Sequence, residues 1–153
     1  MLDALRPYLA DCVRRAHRAT RAPAFDVADI APQDYLAVAR CYSERRRFRV
    51  WSGGTATAIY GAPRVNWTFR AWHEWCHVRT GYDTSVRAEV RLARFQCAEA
   101  ARVGGDMFAR VVWLEVAGQA LEFERSGDFL ADQTAWTLAR LADAGYPYTR
   151  EAR

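Results

Sequence analysis

Trp72-His73-Glu74-Trp75-Cys76-His77 is the stretch on which the reading of this chain turns. Two histidines four positions apart lie about 40° apart around an α-helix and about 6 Å apart along it, so both imidazoles reach one metal ion. Glu74 directly follows the first histidine and stands beside such an ion without ligating it. That is the place of a general base for a zinc-bound water.

The flanks support a helix. Asn66 is a good N-cap, residues 67–80 include no Gly or Pro, and Gly81 stands where a left-handed residue ends a helix. The spacing therefore predicts a helix over 67–80. On its wheel Arg70, His73, His77 and Thr80 share one face, while Ala71, Trp75 and Val78 lie opposite and are expected in the core.

Upstream of the motif the period changes. Residues 47–51 and 55–60 are rich in β-formers and are separated by Ser52-Gly53-Gly54, which predicts an antiparallel hairpin broken by Gly61-Ala62-Pro63. Before it, 2–20 reads as an amphipathic helix, 22–31 as a connector, and 32–44 as a second helix with Pro32 near its start. After it, 84–103, 106–125 and 128–144 read as helices separated by Gly104-Gly105 and Ser126-Gly127, with Gly145-Tyr146-Pro147 closing the last. The expected architecture is one domain over 1–153, α+β and mainly helical, with a small antiparallel sheet just before the metal helix.

Composition narrows the function classes. The chain has 153 residues, 51% of them apolar and 26% charged, which is enough for one sizeable core. No apolar run approaches a membrane span and the N-terminus lacks a continuous apolar segment, so a cytoplasmic protein is expected. Cys12, Cys41, Cys76 and Cys97 form no C-x-x-C pair, which argues against a thiolate zinc site or a disulfide framework. Three of them read as small buried side chains, with Cys76 set apart because it borders the ligand face. All 22 basic residues are arginine, scattered and countered by 18 acids, so nucleic acid is not the expected partner. The dense run Arg45-Arg46-Arg47-Phe48-Arg49 reads as a solvated helix end leading into a strand.

A short sheet, a helix bearing His-Glu-x-x-His and a following helix with an acid resemble the minimal zincin metallopeptidases. Residues 55–98 look most like the small intracellular zincin-like proteins of the ImmA/IrrE type and the compact ones encoded by phages. The resemblance implies Zn2+ as cofactor, a protein or peptide substrate, and an edge strand, here 55–60, that holds the substrate by strand addition. Two positions depart from the pattern: Cys76 stands before the second histidine, and Arg79 falls where zincins keep an apolar residue and is expected near the cleft mouth.

A catalytic zinc site normally has three protein ligands and an open position. His17 reads as a surface residue of the first helix, so the third ligand is expected to be a carboxylate. Glu89 is the first choice, twelve residues after His77 and in the first turns of a helix that folds back over the motif helix, from which gluzincin-like proteins take theirs. Asp83 is the alternative, six residues after His77 as in metzincin-like patterns, with Gly81 one position late for that pattern. Glu99, Glu115 and Glu122 are more remote candidates.

For catalysis, Glu74 is the expected base, and Tyr82 is assigned to the oxyanion, with Tyr60 and Arg79 as alternatives. Two functions fit this reading. One is a zinc-dependent peptidase making limited cuts in a protein partner. The other is a binding or inhibitory protein of a phage or mobile element that keeps a zincin scaffold without proteolysis.

Overall fold

In the computed structural model, which describes residues 2–143, the chain runs α1 (Leu2–Ala19), β1 (Phe25–Ala28), α2 (Tyr35–Arg45), β2 (Phe48–Trp51), α3 (Pro63–Thr80) and α4 (Val86–Trp113). A π-helical turn (Leu114–Gly118), α5 (Gln119–Ser126) and α6 (Gln133–Ala142) complete it. The fold is mainly helical, and α3, which bears the motif, stands between two hydrophobic cores. The expected closing turn at 145–147 lies outside the described residues.

Helix α3 starts four residues earlier than its sequence suggests. Pro63 occupies the first turn, where its missing N–H costs nothing, and the cap position is Ala62, with no side-chain cap. Asn66 is therefore an internal, buried residue of the helix and not its cap. Gly81 ends the helix in a left-handed conformation (φ 71°), its N–H bonded to the His77 carbonyl.

Three stripes of α3 meet three environments. Val65, Phe69, Trp72 and Cys76 enter the larger core against α1 and α4. Ala71 is buried in the smaller core with Val38, Phe48 and Val50, and Trp67, Trp75 and Val78 pack against it. The third stripe carries Asn66, Arg70, His73 and His77, spaced at 4, 3 and 4 residues and so held on one face.

The sheet departs from expectation. The antiparallel hairpin is overturned: β2 pairs in parallel with β1, Phe25 opposite Phe48 and Ala28 opposite Trp51, with α2 as the crossover that parallel strands require. The carbonyls that a hairpin partner would have used are taken from α3. Arg70 Nη1 donates to the Trp51 and Gly53 carbonyls, each at 2.7 Å, and Trp67 Nε1 to the Ser52 carbonyl at 3.2 Å. Residues 55–60 form turns, and three in a row, Ala58, Ile59 and Tyr60, are buried, which an alternating strand cannot achieve. The Thr57 carbonyl accepts from the backbone N–H and the hydroxyl of Thr134 instead of from a strand. The segment read as a connector, 22–31, supplies β1.

The Gly104-Gly105 break is a kink within α4. Gly105 is non-helical (φ 72°, ψ −171°), while Gly104 lets α1 approach so closely that a Cβ there would meet Cys12 Sγ at 2.5 Å. Arg45 and Arg46 end α2 in solvent and Phe48 begins β2, as the charge run suggested. All four cysteines are free, but it is Cys41 that is partly exposed, whereas Cys76 is buried in the larger core.

Glu99 of α4 ties the two helices together at a buried point. Its carboxylate accepts from Arg79 and from Trp72 Nε1 (3.2 Å), and Cys76 Sγ lies 3.7 Å away. Arg79 thus turns away from the cleft, with its guanidinium also over the Phe95 ring. Glu99→Ala leaves Trp72 Nε1 and Arg79 without their acceptor in a low-dielectric setting. We expect it to lower the unfolding free energy by about 3 kcal/mol, as read from urea melts. A loss under about 0.5 kcal/mol would show that the tie contributes nothing.

Candidate metal centre

His73 and His77 project from the third stripe of α3 toward the first turns of α4, where Glu89 sits. The return is short because Gly81 stops α3, and Ser85 caps α4 by accepting from the Ala88 N–H. His73 Nε2 and His77 Nε2 are 3.1 Å apart, Glu89 Oε1 is 3.2 Å from His77 Nε2, and Glu89 Oε2 is 3.6 Å from His73 Nε2. These three side chains could hold a metal ion.

The hydrogen bonds behind the histidines decide which atoms face each other. His77 Nδ1 is 2.9 Å from the Tyr82 carbonyl and His73 Nδ1 is 3.1 Å from Gln96 Oε1. Both partners are acceptors and favour a proton on each Nδ1, so that in their neutral forms both rings present an Nε2 lone pair to the same point. Two lone pairs and a carboxylate in contact repel one another unless a cation lies among them. For ligand bonds of 2.0–2.1 Å, a tetrahedral ion sets its ligand atoms about 3.3 Å apart, close to the spacing observed.

Electrostatics agrees with a cation site. Burial pulls the His73 imidazolium down in pKa against the attraction of Glu89. Burial also opposes charge on His77, but the hydrogen bond and charge of Glu89 outweigh it and raise His77. Glu89 is held below its ordinary value because His73 and His77 outweigh its own burial. Glu74 lies within electrostatic reach of His77, Glu89 and Arg70, and burial pushes it up to about 7.

The other candidates lie elsewhere. Asp83 is exposed and accepts from the Ser85 N–H, so its carboxylate is engaged in the turn before α4. Glu99 is buried in the tie described above, and Glu122 pairs with Arg125 one turn away. The Tyr82 ring packs against the larger core, and it is the Tyr82 carbonyl that serves the site. His17 is half-buried with its ring edge-on to Phe25, not the solvated residue expected, and stands outside the cluster. Gln96 went unnoticed, although its place two turns after Glu89 on α4 puts it on the same face.

Beside His73 and Glu89 opens a cleft of about 430 Å³, lined among others by Asn66, Phe69, Arg70, Glu115, Gln119 and Phe129. That size and its mixed lining suit a small ligand or a peptide segment. The π-helical turn places Glu115 in its wall, where Oε1 accepts from the Thr137 hydroxyl at 2.9 Å. Burial raises the Glu115 carboxyl to about 7, against hydrogen bonds from Thr137 and Gln119 and the charge of Arg70. Between its ordinary value and 7 the folded state keeps a proton that the unfolded chain releases, so stability falls as pH rises through that window. We expect Glu115→Gln to flatten this slope and to exceed the wild type by on the order of 2 kcal/mol at pH 8 but not at pH 5, in paired urea titrations. Parallel pH profiles for the two proteins would refute the assignment.

The chain matches no protein-family model, no curated protein and no solved structure. The centre is therefore read from its own geometry. Among the described residues no helix is long and apolar enough to cross a membrane.

Proposed function

We propose that this protein is a zinc-dependent peptidase. The observation that carries the reading is the convergence of His73 Nε2, His77 Nε2 and the Glu89 carboxylate, with both Nδ1 atoms held from behind. Two nitrogens and one carboxylate are a zinc hydrolase ligand set, and the arrangement resembles that of the zincins in motif and third ligand. The antiparallel sheet and edge strand implied by that resemblance are not part of the described structure.

A bound zinc ion would supply Lewis acidity, bringing water within reach of deprotonation near neutral pH and polarising a carbonyl. The rest is done by the chain. Gln96 and the Tyr82 carbonyl orient the imidazoles, and Glu89 balances charge while ligating. Glu74, partly buried beside the ligands, takes the proton of the attacking water and hands it to the leaving amine. Arg70 braces the cleft wall through the Trp51 and Gly53 carbonyls. The substrate is a protein or peptide, and we place the reaction in the cytoplasm, where four free cysteines stay reduced.

The test joins metal analysis of the purified protein to digestion of a proteome-derived peptide library by wild type and Glu74→Gln. One equivalent of zinc with cleavage by the wild type alone supports the reading. Absence of metal binding sinks it.

A further inference from the structure

Helix α3 carries its functional stripe two turns beyond the metal ligands, and that extension ends on Asn66. The Asn66 side chain lines the cleft, the residue is only 5% exposed, and its Nδ2 finds no acceptor among the described residues. Across the cleft Gln119, the first residue of α5, turns its amide to the Glu115 carboxylate. Buried amide donors are rarely left without acceptors, so Asn66 calls for a ligand that brings a carbonyl oxygen.

The remaining lining says which kind. Arg70, the cationic side chain in this lining, is committed through Nη1 to two backbone carbonyls, so the cleft does not favour a free anion. A neutral carbonyl suits it. At the rim, the Phe123 and Phe129 rings meet at a tilt with centroids 4.6 Å apart, and Phe129 is 83% exposed, a large ring left in water beside a cleft. Asn66 precedes His73 by seven residues, about 10.5 Å along the helix axis. An extended peptide covers that distance in about three residues.

We propose that this cleft is a subsite for an extended peptide, in which Asn66 donates to a main-chain carbonyl about three residues from the cut bond and Phe123 and Phe129 receive an apolar side chain. This subsite rests on the peptidase reading and gives that reading its specificity. Length on one side of the cut and an apolar residue there become requirements on the substrate.

The experiment uses the zinc-loaded chain and a pool of random fluorogenic dodecapeptides. Mass spectrometry locates the cuts, and the best substrate is then trimmed one residue at a time from each end. Asn66→Ala should lower kcat/KM about ten- to hundredfold on peptides reaching three residues past the cut on one side, and the loss should vanish on shorter ones. Phe129→Ala, at an exposed position that folding does not depend on, should raise KM for peptides with an apolar residue in that segment. Zinc content and thermal melting of each variant are measured alongside. If Asn66→Ala fails to fold, Asn66→Asp, which removes the amide donor at nearly the same size, carries the same length comparison. Variants that keep the wild-type length profile and apolar preference overturn the subsite and leave the peptidase reading standing. A wild type that cuts no peptide in the pool overturns both.

Discussion

His77→Ala is expected to abolish zinc binding, with a loss beyond the roughly 10–100-fold that removal of a supporting partner causes. His77 is 1% exposed, its Nε2 is one vertex of the cluster, and its ring joins Glu89 to the Tyr82 carbonyl. No other histidine can replace it, since His17 lies outside the cluster. Competition with a chromogenic chelator measures the affinity directly. Melting curves give a second reading, because a ligand that binds only the folded chain stabilises it by about 2.7 kcal/mol at a hundred times its Kd. The wild type should therefore melt higher with added zinc, and His77→Ala should not. Gln96→Ala should sit between the two, still binding but more weakly. If Glu89→Ala binds zinc like the wild type while Asp83→Ala does not, the ligand set given above is wrong.

Glu74→Gln is expected to keep the metal and to lose hydrolysis by about 10²-fold to 10⁴-fold, the usual cost of removing a general base. The amide is nearly isosteric and cannot take a proton from water, so the ligand geometry survives while the proton transfer does not. Glu74 stands within electrostatic reach of His77, Glu89 and Arg70 and is not one of the clustered ligands. Equal zinc content in both proteins, with products only from the wild type, is the expected pattern. A variant that still supports the biological role of the protein would instead assign that role to binding, with the motif as scaffold.

Much of the centre was legible because helical spacing is local. The i, i+4 histidines, the Gly81 stop and the position of Glu89 across a short turn are properties of neighbouring residues, and they lead directly to the cluster found. The same periodicity pointed to Gln96, seven residues after Glu89, and to Asn66, seven before His73. Neither was read that way, because a glutamine in an arginine-rich helix looks solvated and an asparagine before a helix looks like a cap. The start of α3 was misplaced for a related reason: Pro63 at a first turn and Asn66 at a cap are both ordinary starts, and only packing separates them.

The sheet shows the other limit. Residues 55–60 have the β-branched and aromatic content of a strand, yet whether they pair depends on carbonyls that lie on β2 and on which groups reach them first. Arg70 and Trp67 reach them from α3, and Thr134 takes the Thr57 carbonyl from α6. Strand pairing is a contest between distant donors for the same acceptors, and no local pattern records who wins. Arg79 follows the same logic: its place on the helix was readable, but its partner, Glu99, lies twenty residues away on α4. By itself the sequence determined the helical character of the chain, the Gly81 stop of α3 and the two imidazoles of the centre, because these depend on contacts within a few residues. The parallel sheet, the burial of Glu99 and the cleft that Glu115 and Gln119 close over α3 were decided only in the tertiary structure, where burial and competition for hydrogen bonds act between residues far apart along the chain.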